Sequence, residues 1–138
     1  MVRKSRLIAS VLALVACASA TAQDQNTPEA WAVVKAGEEA HLDTGTISAP
    51  GPLTRFEISI VWGGTAASRP PGYMARRVRY VADCKAGTVT VVAVGLFDTS
   101  GQPFKTLIAP PGAVEPSTPS TGTREEKWLQ YVCRMRSD

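Results

Sequence analysis

The sequence predicts an α+β fold: an antiparallel β-sheet meander with one C-terminal helix packed on the sheet and tied to it by a disulfide. Three observations lead there. Segments between Leu53 and Phe97 either alternate strictly in polarity or are dense in β-branched residues, with short turns between them. A capping pattern at Thr123 opens a stretch whose apolar residues recur at helical spacing. Finally, Cys84 and Cys133 fall one at the end of a predicted strand and one in that helix. At 138 residues the chain has room for one compact domain and not for two.

The first element is for targeting. Arg3, Lys4 and Arg6 precede the apolar run Leu7 to Ala16, and small residues end at Ala20-Thr21-Ala22, so residues 1–22 read as a secretory signal peptide. The run is shorter than the roughly 20 apolar residues that span a bilayer. Two processing routes remain open. Ala20-Thr21-Ala22 fits a small-x-small cleavage site that leaves Gln23 first, whereas Leu14-Val15-Ala16-Cys17 has the form of a bacterial lipobox in which Cys17 is lipidated. Both routes lead out of the cytoplasm, and a lipid on Cys17 is the only membrane contact foreseen. The excess of 15 basic over 12 acidic residues comes entirely from the three N-terminal cations, since no acid precedes Asp24. The mature chain is therefore neutral, which removes the electrostatic basis for nucleic-acid binding.

Residues 23–30 read as a flexible segment before a domain over 31–138. Residues 29 to 43 are ambiguous: Thr27-Pro28-Glu29 looks like a helix N-terminus, yet Trp31 and Val33 also alternate as in a strand. From Leu53 to Trp62 the alternation is strict, with Phe56, Ile58, Ile60 and Trp62 facing inward. From Tyr73 to Cys84, Val78, Tyr80, Ala82 and Cys84 share one face, and Arg77, Arg79, Val81 and Asp83 the other. Lys85-Ala86-Gly87 turns the chain into the β-branched run Thr88 to Phe97, and Asp98 to Gly101 turns it again into a short strand, Phe104 to Ile108. Four prolines between Ala109 and Gly122 predict a long loop. Thr123 and Glu126 then have capping-box spacing, and Trp128, Leu129, Val132 and Cys133 form one apolar stripe.

Chemistry-bearing patterns are scarce. With Cys17 cut away or lipidated, Cys84 and Cys133 form an even pair in an oxidising compartment and read as one disulfide, two buried thiols being the alternative. A loop of that length contributes roughly 4 kcal/mol in the chain-entropy treatment. One histidine, His41, has neither a nucleophile motif nor metal-ligand spacing around it, and no phosphate loop, dinucleotide fingerprint or metalloprotease motif occurs. The expectation is a protein with no catalytic residues, no metal and no cofactor. One stretch stands out: Tyr73, Arg76, Arg77 and Arg79 combine aromatic and guanidinium groups beside the Gly63 to Gly72 loop, the residue types enriched at protein interfaces. They are the candidate partner-binding residues.

Several features together resemble one family. They are Trp31, the HLDTGTI segment with Asp43 and Ile47, Asp83-Cys84 followed by a β run, the Phe97-Asp98 turn ending at Gly101, and the closing KWLQYVC helix with Cys133. From Trp31 to Cys133 the chain is similar to the surface-adhesin protein E family of Gram-negative bacteria. That resemblance implies an antiparallel sheet with a C-terminal helix, the Cys84 to Cys133 bridge, Trp31 in a first strand, and a homodimer. It also implies an exported, non-enzymatic protein of the periplasm, outer membrane or cell surface that binds a protein partner in the manner of an adhesin. A periplasmic structural or stress-related role without a host ligand is the alternative. The long Pro/Ser/Thr loop and His41-Leu42 depart from the family pattern.

Overall fold

A computed structural model describes residues 27–136, so the signal segment 1–22, including Cys17 and both processing sites, lies outside the described residues. Five strands, β1 (Glu38–Ser48), β2 (Thr54–Trp62), β3 (Ala75–Asp83), β4 (Thr88–Phe97) and β5 (Pro103–Ile108), form one sheet in chain order, each antiparallel to its neighbour. Two helices, α1 (Pro28–Ala32) and α2 (Arg124–Met135), pack against the core on one face of this sheet.

Period-two patterning builds that core directly. Phe56, Ile58 and Ile60 of β2, Val78, Tyr80 and Ala82 of β3, and Val94 and Leu96 of β4 are buried on one face, where Trp128 and Val132 of α2 meet them. The rings of Phe56 and Tyr80 stack with centroids 5.3 Å apart, and Trp128 leans on Tyr80 at 6.3 Å. Burial, with a smaller contribution from the Glu125 charge, pushes the Tyr80 phenol up to about 12.

Asparagine-like turns made by aspartates close the meander. Asp83 Oδ1 accepts the N–H groups of Lys85 and Ala86, and Gly87 completes the hairpin at φ +71°. Asp98 Oδ1 likewise accepts from Ser100 and Gln102. In β1 the HLDTGTI segment makes an irregularity between Asp43 and Ser48. There Asp43 Oδ1 accepts the Gly45 N–H, and Thr46 Oγ1 donates to the Asp43 carbonyl while accepting the Glu57 N–H at 2.8 Å.

At α2 the expected cap is present: Thr123 Oγ1 accepts the Glu126 N–H, and Glu126 reaches back to the Gly122 N–H. Arg136 donates to the carbonyls of Gly51 and Pro52, fastening the far end of the helix to the β1–β2 loop. Cys84, just past β3, is bonded to Cys133, with Cα atoms 5.5 Å apart and a separation of 49 positions in sequence.

Two expectations are corrected. Trp31 lies in α1 and not in a first strand, because Thr27 caps the helix, Pro28 supplies its first φ angle and the local signals prevail. The expected flexible segment 23–30 is accordingly structured from Thr27 onward, and the fold carries a short N-terminal helix besides the C-terminal one. Trp31 and Ala32 still pack on the core, which is why five helical residues hold their conformation.

Candidate partner-binding surface

The four candidate residues do not form one patch. Arg76 shares the parity of Val78 and Tyr80 and therefore faces the helices, with its side chain 2% exposed and that of its partner Glu38 1%. Its Nη1 and Nη2 donate to the two Glu38 oxygens at 2.7 and 2.8 Å, and Nη2 also reaches the Val33 carbonyl at the end of α1. Tyr73 donates its hydroxyl to the same carboxylate at 2.6 Å. Burial alone would raise the Glu38 pKa, but hydrogen bonds from Arg76, Tyr73 and the Lys35 N–H, together with the Arg76 charge, hold it below its ordinary value. The Tyr73 phenol is pushed up by burial and by the Glu38 carboxylate. This cluster joins α1, β1, β3 and the loop before β3. Arg76, expected among the partner-binding residues, is instead buried in this cluster, because the strand alternation that turns Arg77 outward turns Arg76 inward.

Arg77 and Arg79 do face outward, on the sheet face opposite the helices, with side chains 51% and 57% exposed. Both approach Glu57 of β2. Arg79 donates Nε and Nη2 to its Oε1 at 3.2 and 3.0 Å, and Arg77 Nε lies 3.7 Å from Oε2. Cross-strand register continues each arginine into a row: Arg79, Ala93 and Ile108 in one, and Arg77, Gly95 and Thr106 in the next. Since the middle residue of each row is Ala or Gly, the surface dips along β4 into an open trough of about 670 Å³. Val81 and Val92 add apolar lining. Arg77 lies over the Phe97 ring at 5.8 Å, and that ring sits against Gly95, where an added Cβ would meet Phe97 Cε2 at 3.4 Å.

Elsewhere on this face His41 of β1 contacts the Glu39 carboxylate at 3.2 Å. Among the described residues no three His, Cys, Asp or Glu side chains come together as metal ligands. Likewise, no described helix is long and apolar enough to cross a membrane. Sequence reasoning found the two open-face arginines but missed the trough. The signal was the small pair Ala93 and Gly95 inside a run of branched residues, which becomes meaningful only once strand register places it between Arg79 and Ile108.

Residues 30–134, from α1 to the last turns of α2, match the family profile described as surface-adhesin protein E. The chain belongs to the surface-adhesin protein E family. A crystal structure of Haemophilus influenzae protein E shares the fold, with a TM-score of 0.53 and 15% identity, covering 77% of this chain and 94% of that one. No curated protein matches the chain. The family-like residues of this adhesin E protein are the ones that build its frame. Asp43 shapes the β1 irregularity, Asp83 and Asp98 make turns, and Cys84 and Cys133 form the bridge. These five residues do not line the trough, whereas Phe97, which precedes the Asp98 turn, does.

Proposed function

We propose that this surface-adhesin E family member is an exported, non-enzymatic module of the cell envelope that binds a protein partner through the open face of its sheet. The observation that carries the reading is the asymmetry of the sheet. Both helices cover one face, and the other presents half-exposed Arg77 and Arg79 beside Phe97 and Ile108, a combination of guanidinium and apolar groups suited to an interface. Family membership and the likeness to protein E support an adhesin-like role on the surface.

Location and binding are tested together. Intact cells treated with a membrane-impermeant amine reagent should label the native protein, and Arg77→Glu with Arg79→Glu should abolish partner capture while leaving the thermal midpoint unchanged. Labelling only after the outer membrane is opened would favour the periplasmic alternative. Partner capture indifferent to both charge reversals would remove the open face as the site.

A further inference from the structure

We infer that the trough along β4 takes an extended segment of the partner protein in which acidic and apolar side chains alternate, an inference that rests on the open face being the binding surface. The two walls of the trough differ in chemistry. Arg77 and Arg79 stand along β3, Ile108 and Thr106 stand along β5, and the small residues Ala93 and Gly95 of β4 lie between them, with the Phe97 ring against Gly95 and beneath Arg77. A chain lying flat on that floor sends successive side chains to opposite walls. Its two-residue repeat, about 6.6 to 6.8 Å, is the repeat that separates Arg77 from Arg79 on β3. Carboxylates at alternate positions therefore meet successive guanidiniums, and the residues between them turn toward Ile108 on β5.

Charge distribution selects this class of ligand over a dense polyanion. Arg55, Arg77 and Arg79 share the trough with a single carboxylate, Glu57, and Arg55 makes no ion pair among the described residues. The excess is positive, so an acidic partner is favoured. Glu57, however, sits at the centre of the arginines, and Asp43 pairs beside it across β1 and β2. A sulfated glycan would set anions over those carboxylates and leave Ile108, 73% exposed, uncovered. Spaced carboxylates alternating with apolar side chains match both features.

The test measures fluorescence anisotropy of a labelled, blocked hexapeptide of alternating glutamate and leucine with the exported protein. An isomer with three glutamates followed by three leucines, an alternating lysine and leucine peptide, and a heparin-derived hexasaccharide serve as comparisons. The alternating acidic peptide should bind at least about tenfold more tightly than any of them, a gap of about 1.4 kcal/mol. Ala93→Leu, which fills the floor, should remove that binding, as should Arg77→Glu with Arg79→Glu. Circular dichroism melts check that each variant folds; if Ala93→Leu does not, the arginine pair, which points away from the core, decides. Equal affinity for the isomer, tighter glycan binding, no binding of the alternating peptide, or unchanged affinity in folded Ala93→Leu would each overturn the inference. If another peptide binds and the charge reversals abolish it, the open-face reading stands without the alternation. If bound peptide ignores the charge reversals, both readings fall.

Discussion

Arg76 and Arg77 are neighbours in the chain and opposites in environment, and their substitutions should behave accordingly. Arg76→Ala leaves Glu38 buried without its cation, and breaking a buried pair from one side costs about 3 to 5 kcal/mol. Arg77→Ala removes a half-exposed contact and should change stability by no more than about 0.5 kcal/mol. Urea unfolding of the two variants at neutral pH checks the contrast. The same cluster sets an acid dependence. Because the folded Glu38 pKa lies below its ordinary value of 4.5, its contribution is complete above that value and is lost as pH falls through the depressed one. Stability of the wild type should therefore fall below pH 4.5 more steeply than that of Glu38→Gln, as seen in urea midpoints across the acid range.

At the scale of elements, α2 depends on its cap and on its tether. Thr123→Ala removes the acceptor for the Glu126 N–H and should cost about 1 kcal/mol. Cys84→Ser should cost about 2 to 5 kcal/mol, read from thermal unfolding, and non-reducing mass analysis should find the wild type two hydrogens lighter than its reduced form. Strands β2 and β3 were legible in the sequence because each puts apolar residues inward at every second position, β4 because it is dense in β-branched residues, and α2 because its stripe begins at a cap. β1 was not legible. Its inward residues include Glu38, whose burial makes sense only with Arg76, thirty-eight residues away in sequence, and Tyr73 as partners. Trp31 misled in the opposite sense: the local helix signals were sound, and the family likeness argued against them. The turn aspartates were visible as turn residues, whereas the trough depended on cross-strand register that no single segment contains.

The whole molecule is a two-faced sheet with an edge at β5. That strand exposes Phe104, 64% accessible, and Ile108, and its one charged residue is Lys105. Apolar edges invite pairing with other chains, so Phe104→Lys should reduce concentration-dependent light scattering on heating without lowering the unfolding midpoint. The bridge has a different consequence for a protein that meets proteases. Between β5 and α2 the chain runs through an exposed, proline-rich loop that is linked to β4 by the Val89 to Ser117 bridge and, at its start, by the Ala109 N–H to the Val92 carbonyl. A cut there divides the backbone, but Cys84 lies before the cut and Cys133 after it, so both pieces stay joined with Trp128 and Val132 in place. Loss of the helix then requires a reductant as well as a protease. Under oxidising conditions a domain nicked in this loop should therefore persist as a two-chain protein, separated into two pieces only on a reducing gel.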